Sequence, residues 1–212
     1  MRVVIVIVLI PLVLVPLYLV VSPVSTLMIY TRLVSGPIDR RWVPFDAVAK
    51  PLVASVVMSE DGRFCEHVGV DWRELGRVLD RSGEPSRGAS TIPMQTVKNL
   101  FLWSSRSYLR KGLEIPLALY ADMIWPKRRM MEIYLNIAEW GPGIFGIEAA
   151  SQHYFRRSAK DLSPGQAALL AAALPDPIGR NPAKATHHMQ ARARAVAAMA
   201  RAAGDYLGCL YP

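Results

Sequence analysis

The chain has 212 residues, of which 52% are hydrophobic and 20% are charged, and its formal net charge is +8. This length fits one domain of ordinary size together with one membrane segment, so a second full domain is not expected. The positive charge favours an anionic partner such as a lipid headgroup, a lipid diphosphate or nucleic acid. A charge that only keeps the domain soluble fits equally well. Cys65 and Cys209 lack the spacing of metal ligands, and the sequence leaves open whether they are bridged, free or buried.

The N-terminus is apolar, and residues 3–21 contain no charge. A helix over this run would span about 28 Å, which is close to the hydrocarbon thickness of a bilayer. We therefore predict a transmembrane anchor over residues 1–22 and prefer lipid to nucleic acid as the anionic partner. A cleaved signal peptide is the alternative, but the run is long for one and residues 22–25 offer no convincing cleavage site. The flanking charges do not decide the orientation.

Residues 23–42 mix charges with Pro23, Gly36 and Pro37, which predicts a juxtamembrane linker. The folded domain is then expected over residues 43–212. Its apolar residues recur mainly at helical spacing and alternating strand patterns are scarce, so the predicted fold class is mainly α. Three helices are predicted from their ends: one that ends at Glu60, one that starts after Asp71 and one that is capped by Ser90 or Thr91. Four more are predicted over residues 109–124, 127–137, 163–174 and 184–203. A loop is predicted at residues 83–89.

Three dense polar blocks interrupt the domain, at residues 60–67, 87–99 and 110–114. Their carboxylates, amides and cations could face one cleft. That combination suits transfer of a group from a phosphate leaving group, because a carboxylate can take a proton while fixed cations stabilise the departing anion. The third block lies on the polar side of its helix, next to an apolar stripe that includes Leu109 and Leu113.

The same blocks match a set of motifs. Residues 60–69, Glu-Asp-Gly-Arg-Phe-Cys-Glu-His-Val-Gly, resemble the pattern E-D-x-x-F-x-x-H-x-G of bacterial peptidoglycan glycosyltransferases. Residues 88–99, 110–114 and 132–136 resemble the second, third and fourth motifs of that family. The match runs from Val43 to the end of the chain, in order and with suitable spacing, which is far more specific than any one motif. Because no room remains for a transpeptidase domain, the chain resembles the monofunctional members.

This resemblance implies a mainly α, lysozyme-like glycosyltransferase domain with a small lobe that grazes the membrane. It implies an inverting enzyme that polymerises lipid II into β-1,4-linked glycan strands and releases undecaprenyl diphosphate, in cell-wall biosynthesis and the maintenance of cell shape. The expected partners are lipid II, the growing lipid-linked glycan chain and the membrane, with cell-wall synthesis proteins as further candidates and no nucleic acid. The expected location is the cytoplasmic (inner) membrane, crossed once, with the catalytic domain in the periplasm.

Residue roles follow from the resemblance, position by position. Glu60 matches the general base that takes the proton of the acceptor 4-hydroxyl, and burial is expected to raise its pKa toward neutrality. Glu114 matches the second acidic residue, which would assist departure of the diphosphate directly or through a divalent metal such as Mg²⁺ or Mn²⁺, although no cofactor is required. The residues implied in substrate binding are Asp61, Arg63, Phe64, Ser90, Gln95, Lys98, Asn99, Arg110 and Lys111.

Two positions depart from the family pattern. Residues 93–95 keep only the second of two consecutive glutamines, at Gln95, and Ala89 replaces a common glycine. Neither change touches the two carboxylates.

Simpler interpretations apply to other polar residues. His67 is predicted to be a structural hydrogen-bonding residue rather than a metal ligand or a base. Glu132 and Asn136 are expected to satisfy backbone groups around the cleft. Residues 127–129, Lys-Arg-Arg, are most simply a solvated face, with lipid headgroups as the functional alternative. Arg192 is expected to face solvent, like the other arginines of the last helix.

Two rival functions fit parts of the pattern. A membrane-anchored muramidase or lytic transglycosylase would also use a lysozyme-like fold and one essential glutamate. Cutting a sugar–sugar bond releases no diphosphate, however, and would leave Lys98, Arg110 and Lys111 without a purpose. A catalytically silent module that recruits cell-wall enzymes would not depend on Glu60. The cations therefore favour synthesis.

Overall fold

The computed structural model describes residues 2–80, 90–103 and 107–211. The predicted loop at 83–89 lies outside these residues. The helices are α1 Arg2–Leu17, α2 Thr26–Val34, α3 Lys50–Glu60, α4 Trp72–Asp80, α5 Ile92–Phe101, α6 Tyr108–Ile124, α7 Lys127–Ile137, α8 Ile147–Phe155, α9 Pro164–Ala173 and α10 His187–Arg201. The strands are β1 Asp39–Arg40, β2 Glu139–Gly141 and β3 Ile144–Phe145. The mainly α fold class is confirmed.

The helix α8 and the small sheet were not predicted. In the sheet, β3 lies in the middle, parallel to β1 and antiparallel to β2. Strands of two or three residues are too short for an alternating pattern to show in the sequence. Gly146 leads from β3 into α8 with a φ of +83°, and a Cβ there would lie 3.0 Å from the carbonyl oxygen of Asn136. A glycine is therefore required at this turn.

The hydrophobic core is formed by two groups of helices. The helices α3, α9 and α10 pack against one another, and α5 packs against both α6 and α7. The core also contains Trp125 and Trp140, which are 2% and 0% exposed. This packing brings the end of α3 close to the start of α5, since the carboxylate of Asp61 accepts a hydrogen bond from the backbone N–H of Ile92 at 2.9 Å.

Local signals account for several helix ends, as predicted. Thr91 rather than Ser90 caps α5, and its hydroxyl oxygen accepts a hydrogen bond from a backbone N–H at 3.3 Å. Asp71 accepts from two backbone N–H groups in the first turn of α4, at 3.0 and 3.1 Å. The helix α9 begins with the predicted capping box of Ser163 and Gln166.

The segment 23–42, predicted as a linker, contains regular structure. Ser25 caps α2, with its hydroxyl oxygen 3.1 Å from the backbone nitrogen of Met28. The Met28 side chain is 1% exposed, and α2 packs against α5. The strand β1 adds this segment to the sheet. Pro23 lies before α2, and Gly36, with a φ of +100°, and Pro37 lie after it.

The predicted anchor covers residues 1–22, whereas the helix α1 runs from Arg2 to Leu17. Its last turns are held against the domain, where the hydroxyl of Tyr120 donates to the carbonyl of Leu12 at 3.0 Å. The indole of Trp125 donates to the carbonyl of Val15 at 2.7 Å. Over residues 2–80, 90–103 and 107–211, no helix is both long and apolar enough to cross a membrane.

Candidate active site

The C-terminal end of α3 presents Glu60. One of its carboxylate oxygens accepts a hydrogen bond from the amide of Gln95 at 3.3 Å, and the other accepts one from the hydroxyl of Ser59 at 3.3 Å. Burial raises the pKa of Glu60, as expected, while the two hydrogen bonds and the charge of Arg192 partly oppose this. A carboxylate with a raised pKa is well suited to accept a proton near neutral pH.

The side chain of Gln95 is held by three groups. The hydroxyl of Tyr134 donates to its carbonyl oxygen at 3.2 Å, and its amide nitrogen donates to the backbone carbonyl of Ser90 at 3.4 Å as well as to Glu60. Tyr134 is 1% exposed. Burial raises the pKa of Tyr134 well above its ordinary value, so the phenol keeps its proton and can donate. The amide nitrogen of Gln95 is thereby directed at Glu60.

The second carboxylate, Glu114, is 1% exposed on the inner face of α6. Its oxygens form ion pairs with Arg110, one turn earlier, and with Lys111 at 3.0 Å. The ammonium of Lys111 also lies 3.3 Å from the hydroxyl oxygen of Ser90. The polar side of α6 therefore points into the protein, whereas Leu109 of its apolar stripe is 71% exposed. This is the reverse of an ordinary amphipathic helix.

Lys98 lies on α5, where the charges of both carboxylates act on it. Burial lowers the pKa of Lys98, and the like charges of α6 add to that effect, while Glu114 and Glu60 both oppose it. The pKa of Lys98 therefore depends on the charge of both carboxylates. A chain of hydrogen bonds and ion pairs also runs from Glu60 through Gln95 and Ser90 to the α6 cluster. The two predicted catalytic residues consequently belong to one connected polar network.

Asp61 and Phe64, predicted to bind substrate, are buried, with 6% and 0% of their surface exposed. The carboxylate of Asp61 lies 2.9 Å from Nε2 of His67 and accepts from Ile92 at 2.9 Å, so it joins the loop after α3 to α5. Phe64 is 0% exposed, and the ammonium of Lys127 lies 4.6 Å from the centre of its ring. Both residues hold the loop from inside the protein, and their contact with substrate stays a prediction. The predicted structural role of His67 is confirmed.

Arg63 and Asn99 lie at the margin of the site. Arg63 forms ion pairs with Glu66 at 2.8 Å and with Asp71 at 3.1 Å, toward the start of α4. Asn99 is partly buried, and its backbone carbonyl accepts a hydrogen bond from Thr26 of α2 at 3.1 Å. The predicted binding residues that the structure does bring together around the two carboxylates are Ser90, Gln95, Lys98, Arg110 and Lys111.

Gly69, the last residue of the first motif, fixes the geometry of the loop. Its φ is +67°, and a Cβ there would lie 2.7 Å from the backbone of Leu119 on α6. Its N–H donates to the carboxylate of Asp122 at 2.6 Å, and its carbonyl accepts from the hydroxyl of Thr91 at 2.6 Å. The loop is therefore held between α5 and α6, which sets the position of Glu60 relative to the α6 cluster.

The cations at residues 127–129 were predicted to be a solvated face, and for two of them this is wrong. The ammonium of Lys127 donates to the carboxylate of Asp122 at 2.7 Å and to the backbone carbonyl of His67 at 2.7 Å. Arg129 pairs with a carboxylate on α7 and donates to two backbone carbonyls after α1, at 2.8 and 2.9 Å. These side chains hold the first-motif loop and the N-terminal segment in place, because internal carbonyls and carboxylates satisfy their charges.

Glu132 and Asn136 satisfy backbone groups, as predicted. Glu132 accepts from the N–H of Phe45 at 2.9 Å, and the amide of Asn136 exchanges two hydrogen bonds of 2.9 Å with the backbone of Val43. They attach the start of the domain to α7.

Of the two positions that depart from the family pattern, residue 94 lies in the core, and residue 89 lies outside the described residues. Met94 is 0% exposed, so its side chain does not reach the cleft. The retained glutamine, Gln95, is the one that contacts Glu60. The departure therefore leaves the hydrogen bonds of the cleft intact.

Glu114 does not suit a divalent metal ion. Each of its oxygens already accepts from a cation of α6, and Lys98 adds a third positive charge nearby. In the part of the chain that the structure describes, no three His, Cys, Asp or Glu side chains are grouped to hold a metal. We assign Glu114 to the ordering of the cations and derive no step through a metal.

Arg192 is a functional candidate that sequence analysis missed. It lies on α10, which packs against α3, and it is partly buried, whereas Arg194 and Arg201 are exposed as expected. Its charge acts on Glu60. In the sequence, Arg192 and Arg194 lie two residues apart on an alanine-rich helix. Nothing in that pattern indicates that only Arg192 faces inward. The packing angle of α10 decides that.

Comparisons with known proteins identify the family of the chain. A family model described as Transglycosylase matches residues 28–201. The chain belongs to this transglycosylase family. The transglycosylase match begins within α2, which agrees with the packing of that helix onto the domain.

Similar proteins carry the name biosynthetic peptidoglycan transglycosylase. The one from Brucella suis is 57% identical, over 99% of this chain and 96% of its own length. The one from Agrobacterium fabrum is 56% identical over 90% of this chain and 85% of its own length. The one from Mesorhizobium japonicum is 57% identical over 90% and 82%. The predicted family is confirmed.

Proposed function

We propose that this protein is a peptidoglycan glycosyltransferase that polymerises lipid II into β-1,4-linked glycan strands and releases undecaprenyl diphosphate, in cell-wall biosynthesis. One observation supports this above all. The partly buried carboxylate of Glu60 and the buried carboxylate of Glu114 belong to one polar network with three cations, connected through Gln95 and Ser90. A base and an anion-binding cluster side by side are what displacement of a diphosphate requires.

In the proposed reaction, Glu60 removes the proton of the acceptor sugar's 4-hydroxyl. The hydroxyl oxygen attacks the anomeric carbon of the growing chain, and the bond from that carbon to the diphosphate oxygen breaks. Attack opposite the leaving group inverts an α-linked donor into a β-linked product. Gln95 holds the carboxylate of Glu60 in place during the proton transfer. Orientation of this kind lowers the barrier because the base needs no reorganisation.

The diphosphate leaves toward Lys98, Arg110 and Lys111. Their positive charges stabilise the negative charge that develops on the bridging oxygen, and the low polarity of a buried site strengthens the effect. Glu114 keeps two of these cations oriented through its ion pairs. A muramidase would have no use for this arrangement.

Exposed apolar side chains support a membrane location. The helix α2 exposes Leu33 and Val34 by 80% and 65%, and α6 exposes Tyr108 and Leu109 by 99% and 71%. The helix α5 packs against both, so the exposed residues lie on neighbouring elements. Clusters of this kind mark membrane or protein contacts. In our proposal this surface grazes the bilayer that supplies lipid II, and residues 1–22 form a single-pass anchor.

The cysteines support a periplasmic domain. Cys65 and Cys209 form a disulfide, which answers the question that the sequence left open. Disulfides persist in oxidising compartments such as the bacterial periplasm and are rare in the cytoplasm. This accords with a lysozyme-like domain outside the cytoplasmic membrane.

The decisive experiment is a polymerisation assay with lipid II, run in parallel with an assay on finished glycan. We expect wild-type protein to lengthen glycan from lipid II and Glu60→Gln to lose about 100- to 10,000-fold in rate, because a general base is removed. Glu66→Gln is the matched control, since Glu66 lies in the same loop with its side chain 49% exposed.

Two outcomes would overturn the proposal. Cleavage of finished glycan without use of lipid II would identify a muramidase. Full activity of Glu60→Gln in recruitment of cell-wall enzymes, with no polymerisation by wild type, would identify a binding module. Circular dichroism of each variant separates loss of chemistry from loss of fold.

A further inference from the structure

We propose that the disulfide between Cys65 and Cys209 positions the catalytic base for glycosyl transfer and places the rate under thiol–disulfide control. In its closed form, the bridge fixes the loop that follows Glu60, residues 61–71, to the C-terminal segment, residues 202–211. Opening of the bridge by a thiol lowers turnover while the domain stays folded. The inference rests on the proposed function and adds to it a means of control.

Neither cysteine belongs to the family pattern. Cys65 occupies a free position of the motif E-D-x-x-F-x-x-H-x-G, and Cys209 follows residue 201, at which the transglycosylase match ends. The two cysteines are 144 residues apart in sequence, and their Cα atoms are 5.5 Å apart. Because the motifs assign no role to the bridge, its role has to be inferred from the two regions that it joins.

Cys65 lies near the middle of its loop, between two attachments to other helices. On one side, the carboxylate of Asp61 accepts a hydrogen bond from the N–H of Ile92 on α5 at 2.9 Å. On the other side, the N–H of Gly69 donates to the carboxylate of Asp122 on α6 at 2.6 Å. The disulfide adds a covalent attachment midway, to the segment after α10. The loop is therefore fixed in its middle as well as near both ends.

Backbone hydrogen bonds connect Cys65 with the end of α3. The N–H of Phe64, next to Cys65, donates to the carbonyl of Asp61 at 3.0 Å. The N–H of Asp61 in turn donates into the last turn of α3 at 2.8 Å. Glu60 is the last residue of that helix. A shift of Cys65 is therefore passed to Glu60 through a single turn of hydrogen-bonded backbone.

The C-terminal segment provides a fixed base for the bridge. It continues from α10 through a turn of 3₁₀-helix, and Leu207 and Leu210 are 4% and 0% exposed. The ring of Tyr211 lies 5.5 Å from the ring of Phe45, near the start of the domain. Since residues on both sides of Cys209 pack against the core, the disulfide ties the loop to a part of the protein that is itself held in place.

The bridge is accessible to a small thiol. Both cysteines are only partly buried, and their neighbours Glu66 and Gly208 are exposed. Disulfides that solvent reaches exchange more readily than buried ones. In the exchange, one thiolate of a dithiol attacks a sulfur of the bridge and forms a mixed disulfide, which the second thiol of the same reagent then displaces. The protein gains two electrons and two protons and becomes a pair of thiols, while the dithiol becomes a disulfide. Exchange with a disulfide oxidant closes the bridge again.

The cations that bind the diphosphate lie outside the loop. Lys98 is on α5, and Arg110 and Lys111 are on α6. Opening of the bridge should therefore change the position of the base and leave the binding of the diphosphate largely as it is. Because a small displacement of a catalytic group costs a large factor in rate, the effect is expected on kcat and not on KM.

The test compares oxidised and reduced wild-type protein in the lipid II polymerisation assay, with dithiothreitol as the reductant. Both forms are assayed at a temperature at which circular dichroism shows them to be folded. We expect reduction to lower kcat about 10-fold and to change KM by less than about 2-fold. Reoxidation with oxidised glutathione should restore kcat.

Two variants separate positioning from stability and from side effects of the reagent. The Cys65→Ser, Cys209→Ser double variant should show the low kcat of reduced wild type, with or without dithiothreitol. Leu170→Ala lowers stability in the core of α9 without opening the bridge, because Leu170 is 0% exposed there. Its folded fraction should keep the kcat of oxidised wild type.

The inference is overturned if reduced, folded protein keeps the kcat of the oxidised form, if KM rises in place of a fall in kcat, or if Leu170→Ala loses as much kcat. It is also overturned if dithiothreitol slows the double variant, or if reduced protein is unfolded at every temperature, since the bridge would then serve stability alone. Each of these results leaves polymerisation by oxidised wild type in place, so the proposed function would stand. Absence of polymerisation by oxidised wild type is the separate result that removes the proposed function.

Discussion

The helices α6 and α9 both pack into the protein, but they bury opposite kinds of side chain. The helix α9 buries alanines and Leu170, and no charged residue occurs in it. The helix α6 buries Arg110, Glu114 and Asp122 and exposes Leu109. Burial of apolar surface stabilises α9, whereas α6 keeps charged groups away from water only because each has a partner of opposite charge.

This difference indicates that the buried side chains of α9 serve stability, whereas those of α6 serve the reaction. An ion pair moved from water into the interior gains little net stability, since loss of hydration offsets most of the attraction. The buried charges of α6 are therefore explained better by a use than by folding. The exposed leucines on its other side are explained in the same way if that side meets lipid instead of water.

The largest effect is expected from Glu114→Gln. The variant leaves Arg110 and Lys111 without their carboxylate, so we expect polymerisation to fall about 100-fold or more and the free energy of unfolding to fall by about 3 kcal/mol. Steady-state kinetics and urea unfolding measure the two effects. Glu132→Gln is the matched control, because Glu132 also pairs with an arginine on its own helix but lies outside the cleft. An equal loss of rate in both variants would contradict a special role for α6.

The next effect is expected from removal of the disulfide, which joins the loop beside Glu60 to the segment after α10. The two cysteines are 144 residues apart. Chain entropy then predicts a loss of up to about 5 kcal/mol in the Cys65→Ser, Cys209→Ser double variant. Thermal unfolding with and without a reducing agent measures it. An unchanged unfolding temperature on reduction would show that the bridge does not hold the two regions together.

A smaller loss, confined to stability, is expected in α9. Leu170→Ala removes a side chain that is 0% exposed, and we expect it to lower the free energy of unfolding by about 2–5 kcal/mol. The kcat/KM of the folded fraction should be unchanged, because α9 supplies no group to the cleft. Leu169→Ala, at a partly buried neighbour, is the control and should cost less. A lower kcat/KM for the folded fraction of Leu170→Ala would contradict the view that α9 contributes to stability alone.

The smallest effect on stability is expected on the outer side of α6. Leu109→Ser with Leu113→Ser should change the free energy of unfolding by less than about 0.5 kcal/mol, since both side chains are already exposed. Flotation with phosphatidylglycerol vesicles should show weaker binding, because the apolar contact with lipid is lost. Ile178→Ser, at a 60% exposed position after α9, is the control for loss of an exposed apolar side chain. Equal binding by all variants would remove this surface from the membrane contact.

The sequence was sufficient to locate much of the site. Glu60 at the end of α3, and Gln95 and Lys98 on α5, were placed correctly because helix periodicity and a capping threonine act over a few residues. Asp61 was assigned to substrate from the motif alone, although it is a buried link to His67 and α5. A motif shows that a residue is needed but not whether it meets the ligand or holds the loop.

By itself, then, the sequence determined the helical class, most helix ends and the family, because capping, periodicity and motif spacing are local properties of the chain. Tertiary structure alone decided which side of α6 is buried, that Cys65 meets Cys209, and that Arg192 is partly buried whereas Arg194 is exposed. These depend on the angles at which distant helices pack. A charge lying far away in the sequence influences a carboxylate only through the distance and the dielectric that the packing creates.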